Sequence, residues 1–411
     1  MDPLDIDRIA DWVTRRGLEG AGETDLLREF CERCNAAGLP ISRALAVIDT
    51  LHPVHEGTVF RWRDDDVVEK AAATYGRTTD GAAADAWHRS PFYHVLQTGG
   101  EELRRRLWLG EPADFPVIEE MKELGHTEYV VFVHRIAREA WIGEMDCVYS
   151  GWSTRSPTGF GDEGIAALRR LVPALGLAIK SAALAKVADT LVEVYLGRDA
   201  GRRVIKGLIQ RGTADRIDAV LWFSDLRGFT AITDTAAPDE IIPLLNDYAD
   251  AVITAIHEAG GEVLKLIGDG TLAIFRAEDP ALACANALRA EAAMRRNVQA
   301  LNARRAMEAH PTTTVYLGLH IGEVFYGNIG SVDRLDFTVV GPAVNETSRI
   351  ASMCRSVDRP LLISSAFAAA LPAEKRGKLV SVGRFALRGV GKAQDLFTLD
   401  PALVQMPDNG M

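Results

Sequence analysis

Two aspartates stand where carboxylates can do chemistry. Asp225 follows the apolar run 219–223 and leads into Leu226-Arg227-Gly228-Phe229-Thr230. Asp269 sits in Gly268-Asp269-Gly270, between two β-prone runs, 263–267 and 272–275, that read as a hairpin. Carboxylates paired at strand ends hold two divalent cations about 3.5–4 Å apart for an in-line displacement at phosphorus. The Gly228 turn opens a helix start, whose free N–H groups and dipole favour an anion such as a triphosphate. A lone aspartate in a turn is ordinary turn chemistry. Two in one small domain, each at a strand end, point to a metal site.

Lys265 is the one charge in Val263-Leu264-Lys265-Leu266-Ile267. Pleat alternation puts it on the face of Val263 and Ile267, either as an edge lysine that discourages aggregation or as an ammonium needing a partner. Asn345 and Arg349 are four residues apart on a predicted helix, 343–354, and so share one face.

The elements that must position these residues follow from periodicity: a strand at 219–223, a helix at 241–258, the hairpin, and a helix from 280 to about 307. Strands at 315–321, 324–328 and 336–340 and the helix 343–354 complete the pattern. The order β-α-β-β-α-β is ferredoxin-like.

Three stretches, Phe223 to Thr230, Lys265 to Gly270 and Val340-Gly341-Pro342-Ala343-Val344-Asn345-Glu346-Thr347-Ser348-Arg349, together resemble the catalytic domain of class III adenylate and guanylate cyclases over residues 218–399. The resemblance implies metal binding at Asp225, Leu226 and Asp269, with two Mg2+ or Mn2+ ions per site. It implies adenine selection by Lys265 and Thr338, ribose orientation by Asn345 and transition-state stabilisation by Arg349. Triphosphate binding falls to Arg388, where the family has lysine, and Gly228, Phe229 and Thr230 line the substrate. Threonine rather than aspartate at 338 is similar to the bicarbonate-responsive subgroup, which implies a bicarbonate effector. The implied reaction converts ATP to cyclic AMP in a homodimer with shared sites. Two other readings remain: a guanylate cyclase, which would carry an acid in place of Lys265, and a catalytically silent cyclase fold serving as a dimeric sensor. A P-loop enzyme is excluded, since Ala386 stands where its first glycine belongs and Gly391-Lys392 is followed by Ala393.

The first part of the chain reads differently. Helical periodicity marks two helices in 1–50, and β-prone runs at 58–62, 129–133 and 146–149 flank a helical stretch at 118–124. After Gly159-Phe160-Gly161 a helical pattern runs from Ile165 toward Leu196. This mixed α/β arrangement, joined onward by a long helix, resembles a GAF domain, or else an unclassified α/β domain. Trp62, Trp87, Trp108, Trp141 and Trp152 line either its core or a sensory pocket. The expected division is a regulatory domain over 1–185, a helical linker or transducer over 186–216, a catalytic domain over 217–400 and a tail at 401–411. Between Leu196 and Arg216, six cations against Asp199 and Asp215 make that stretch a solvated basic helix or a signal-transmitting element.

At 411 residues with 47% apolar and 25% charged composition, the chain has the material for two or three cored domains. A net charge of −11 makes nucleic acid an unexpected partner. The apolar stretch 171–179 is about half the ~20 residues of a membrane span, so none is expected. Met1-Asp2-Pro3-Leu4-Asp5 lacks the pattern of a secretory signal, and five scattered cysteines suit a reducing compartment. The expected location is cytoplasmic. Cys31 and Cys34 form a CxxC without a second pair, which reads as helix packing.

Overall fold

A computed structural model describes residues 1–65, 70–136 and 145–400. Trp141 and the tail 401–411 lie outside them. The chain is mixed α/β and divides into two compact units, Met1–Leu191 and the part from Val192 onward.

The first unit is built on a six-stranded antiparallel sheet. Its spatial order is Ala72–Tyr75, Gly57–Arg63, Arg43–Asp49, Cys147–Thr154, Glu128–Arg135 and Glu102–Arg106. The strands Arg43–Asp49, Ala72–Tyr75 and Glu102–Arg106 are not among the expected runs; Ala72–Tyr75 is only four residues long and Glu102–Arg106 carries four charges, whereas Arg43–Asp49 is a seven-residue, largely apolar strand. The helices Pro3–Leu18 and Glu23–Ala36 bury Ile9, Val13, Leu26, Leu27, Phe30 and the CxxC cysteines against one face. Both thiols are fully buried, and burial pushes Cys34 up to about 12, so they act as small core side chains.

The long helix Gly161–Leu196 buries Ile165, Leu168, Leu171, Val172, Leu175 and Ile179 at three- and four-residue spacing. By length and composition it meets the requirement for a membrane span, where the apolar stretch alone had been too short. That buried stripe belongs to the unit's core. Of the tryptophans, Trp152 is fully buried in this core, Trp62 packs against it, and Trp108 is exposed. Trp87 lines a cavity with Tyr75, Tyr149 and Phe92.

The second unit shows the ferredoxin-like order. Its four central strands lie as Val315–Gly330, Ala214–Leu226, Gly270–Arg276 and Glu262–Ile267, all antiparallel. The helices Pro238–Glu258 and Pro280–Met307 cover one face. Val220 and Trp222 point into that core, while Ala219 and Leu221 pack on the opposite side with Val324, Tyr326 and Phe337. Burial on both faces explains why the run is unbroken rather than alternating.

Two strands expected at 315–321 and 324–328 are one strand of 16 residues. Gly322 does not break it, because pairing with Ala214–Leu226 continues through Gly322 opposite Ala219. The sheet also extends beyond the ferredoxin core, through Leu361–Ser364 and the hairpin Leu379–Phe385 with Gln394–Leu399. Between the helix end at Leu196 and the strand start at Ala214 lies a short helix, Arg198–Ile205. Arg203 on it bonds Asp199 at 3.0 Å and Asp215 at 2.7 Å and lies over the Tyr326 ring. Arg276 from the sheet meets Asp199 at 2.8 Å, so Arg203 is tied to the sheet through shared aspartates, while Arg202, Lys206, Arg211 and Arg216 are exposed.

Candidate active site

The hairpin register pairs Ile267 with Gly270, leaving Gly268 and Asp269 as the two-residue tip. Gly268 has a φ of +61°, which favours glycine. At Gly270 a Cβ would stand 2.8 Å from the Ser224 carbonyl oxygen. Only glycine lets the tip close on the end of Ala214–Leu226, and that closeness brings the two aspartates together. Asp269 Oδ2 accepts from the Leu226 N–H at 3.1 Å. Asp225 is partly buried, and its Oδ1 is buried with no hydrogen-bond partner. Burial raises the Asp225 carboxyl above the ordinary range, the nearby Asp269 charge raises it further, and Arg355 works the other way. Both aspartates border a cavity of about 180 Å³ with Asn246 and Tyr248.

An orphaned carboxylate oxygen beside a second carboxylate is the donor set of a hard divalent cation. Among the described residues no group of three or more His, Cys, Asp and Glu is arranged to hold a metal ion. Two carboxylates suffice where substrate phosphates complete the shell, as Mg2+ sites commonly do. The residues fit the ion.

Gly228, with φ of +70°, precedes the helix Phe229–Thr235. Its carbonyl accepts from Ile232 N–H at 3.1 Å, Phe229 packs against the core, and Thr230 is exposed. Lys265 lies on the edge strand Glu262–Ile267, where a bulge between Val263 and Lys265 interrupts the pairing. Its ammonium is paired with Asp336, and both line a second cavity of about 760 Å³. Thr338 is buried two residues further along Leu335–Val340. Asn345 and Arg349 are exposed on the helix Pro342–Val357, and Arg388 is exposed before Gly389. None of these three lines either cavity.

The structure thus brings Asp225 to Asp269 and joins the Lys265 strand to the Thr338 strand, and it leaves Asn345, Arg349 and Arg388 facing outward. Sequence reasoning missed Asp336, although strand alternation placed it on the face of Thr338. It also missed His320, which is buried beneath the Asn345 helix. The His320 Nδ1 lies 2.9 Å from Ser364 Oγ and 3.6 Å from Glu346 Oε1. Burial lowers this imidazole to about 4 and raises Glu346.

Residues 213–400 match the family model of the adenylate and guanylate cyclase catalytic domain. That match spans most of the second unit and somewhat less than half of the chain. An adenylate cyclase of Anabaena cylindrica is 36% identical over 160 residues, 38% of this chain and 31% of its own. A terminal-differentiation specific adenylate cyclase of Dictyostelium discoideum is 32% identical over 144 residues, 35% of this chain and 7% of its own. The chain thus spans a third or less of these relatives' length. Among solved structures, a bacterial light-regulated adenylyl cyclase is similar with a TM-score of 0.46 and 22% identity, covering 54% of this chain and 63% of that one.

Proposed function

We propose that the protein is an adenylate cyclase that converts ATP to 3′,5′-cyclic AMP and pyrophosphate at two sites shared across a homodimer. The observation that carries the reading is the Asp225–Asp269 pair with its partnerless oxygen, at the mouth of a cavity in a cyclase domain. Asp225 and Asp269, with the Leu226 backbone, would hold two Mg2+ or Mn2+ ions. Bound there, the ions supply charge neutralisation for the triphosphate and acidify the ribose 3′-hydroxyl.

The chain's own residues do the rest. Asn345 orients the ribose, so that the 3′-oxygen attacks the α-phosphorus as the bond to pyrophosphate breaks and the hydroxyl proton passes to solvent. Arg349 faces the charge that develops on the phosphoryl oxygens. Arg388, Gly228, Phe229 and Thr230 bind the triphosphate, Arg388 by a planar fork where lysine would offer a point charge. Lys265 donates to adenine N1, with Thr338 beside it. Because Asn345 and Arg349 face outward and line neither cavity, a second copy is the natural source of the aspartates they serve. The domains follow as a GAF-like regulatory part over 1–185, a transducer over 186–216 and the cyclase over 217–400, acting in the cytoplasm. The effector of the first part is a small molecule or bicarbonate.

The test is purified full chain with ATP or GTP, with Mg2+ or Mn2+, with and without bicarbonate. Cyclic AMP formed at higher kcat/KM than cyclic GMP is expected. Preference for GTP would assign a guanylate cyclase, and no product with either would leave a silent dimeric sensor.

A further inference from the structure

In the sheet of the first unit, Asp49, Gly57 and Tyr75 form a row across neighbouring strands, Asp49 opposite Gly57 and Gly57 opposite Tyr75. The middle position needs glycine, since a Cβ at Gly57 would stand 2.2 Å from the Tyr75 phenol oxygen. The Tyr75 ring therefore reaches across Gly57, and its O–H donates to Asp49. Next to this row, Glu56 accepts from the Thr78 hydroxyl and, at 2.6 Å, from the Thr78 N–H. Asp49 and Glu56 are both buried.

Both carboxylates line a cavity of about 470 Å³, a volume within the roughly 300–1,000 Å³ of small-molecule sites. Much of its remaining wall is aromatic. Trp87 and Phe92 each meet the Tyr149 ring, at 5.3 and 5.5 Å between centroids, and Tyr75 lines the strand side. A third carboxylate, that of the exposed Asp146, borders the same cavity and accepts from the Tyr149 phenol at 3.4 Å. No lysine, arginine or histidine is among the described residues that line it. Burial pushes the Tyr75 phenol up, and the charges of Asp49, Glu56 and Asp146 push it the same way.

This lining selects among ligand chemistries. Aromatic walls do not suit a hard metal ion, and among the described residues no group of three or more His, Cys, Asp and Glu is arranged to hold one. An anion, bicarbonate included, would meet only like charges. An organic ammonium suits both parts of the wall, because ring faces attract a desolvated cation and carboxylates accept from its N–H groups.

We infer that this cavity is a binding site for a protonated organic amine, with its ammonium toward the carboxylates and its apolar body against Trp87, Phe92 and Tyr149. Only the effect of such a ligand on turnover rests on the regulatory reading of the first unit. Binding itself rests on the cavity.

The test is titration calorimetry of the full chain with three probes of similar shape and different charge: phenethylamine, 2-phenylethanol and phenylacetate. Phenethylamine should bind at least ~10-fold more tightly than either of the others. Asp146→Asn, an exposed change that leaves the core intact, should cut that advantage by roughly 3- to 10-fold. Glu56→Gln, which keeps an oxygen for the Thr78 N–H, should cut it at least as far, and Trp87→Leu should weaken phenethylamine binding as well. Phenethylamine that fails to bind, that binds no more tightly than 2-phenylethanol, or that keeps its full advantage in both carboxylate variants would overturn the inference. Cyclic nucleotide formation is followed on the same samples. Amine binding as expected without any change in turnover would retain the site and sink the regulatory reading of the first unit alone.

Discussion

Each unit contains a carboxylate withdrawn from water, and the two are treated in opposite ways. In the first unit Glu128 is fully buried and satisfied by its own fold. Arg104 pairs with one oxygen, and the Phe160 N–H donates to the other at 2.6 Å. Gly159 makes room for this, since a Cβ there would stand 2.2 Å from Glu128 Oε2, and its φ of +69° suits glycine. In the second unit Asp225 has a buried oxygen with no partner and a like charge beside it. A buried charge that the fold completes is architecture. One that the fold leaves incomplete is stabilised only by something that binds.

The largest effect should come from removing the incomplete pair. Asp225→Ala or Asp269→Ala is expected to lower cyclase turnover by at least ~100-fold with the fold intact by circular dichroism. Either purified variant retaining wild-type turnover would refute the metal assignment. Arg349→Ala should be equally inactive alone. Mixed with Asp225→Ala under conditions that exchange subunits, both lesions meet in one site of each heterodimer, and roughly a quarter of wild-type sites should return. A mixture that stays inactive although heterodimers form would break the shared-site scheme.

The completed pair should answer in stability instead. Glu128→Ala leaves Arg104 without its buried partner and the Phe160 N–H without its acceptor, and should cost ~3–5 kcal/mol in denaturant unfolding. A loss below 1 kcal/mol would mean that solvent replaces the carboxylate and that the contrast between the units is overstated.

Next in size is an acid effect on His320. Its folded value of about 4 lies below the ordinary 6.5 because burial penalises the imidazolium. The unfolded chain therefore binds the extra proton first, and stability is lost as pH falls from 6.5 toward 4, by up to ~3 kcal/mol. His320→Gln should flatten that part of the stability profile, and an unchanged slope would count against burial as the cause. His126, also lowered to about 4 by burial, gives the first unit the same sign of response.

The smallest effect is the most diagnostic. Because burial and Asp269 disfavour the ionised form of Asp225, its charge costs stability above its raised folded value, and that cost is relieved as pH falls. Asp225→Asn should raise the metal-free melting temperature by an amount equivalent to about 1 kcal/mol and abolish the further rise that Mg2+ gives the wild type. If Mg2+ stabilises both proteins equally, Asp225 is not a ligand.

Much of the second unit was readable from the chain itself. The unbroken run before Asp225, the Gly268-Asp269 tip and the helices on either side are local patterns, and their order admits few topologies. The two N-terminal helices and the long helix of the first unit were readable for the same reason, whereas the short helices Gly81–His88 and Pro91–Gln97 and the strands Arg43–Asp49, Ala72–Tyr75 and Glu102–Arg106 were not, the strands forming where neighbours supply their hydrogen bonds. Residue types could nominate Asp225, Asp269, Lys265, Asn345 and Arg349. They could not say that Lys265 meets Asp336, seventy-one residues away, or that Asp225 keeps an unpartnered oxygen while Glu128 does not. Charge, periodicity and turn chemistry act between near neighbours in sequence and were legible there. Desolvation, strand adjacency and the completion of a carboxylate's hydrogen bonds depend on which distant segments the fold brings together, and those only the tertiary structure decided.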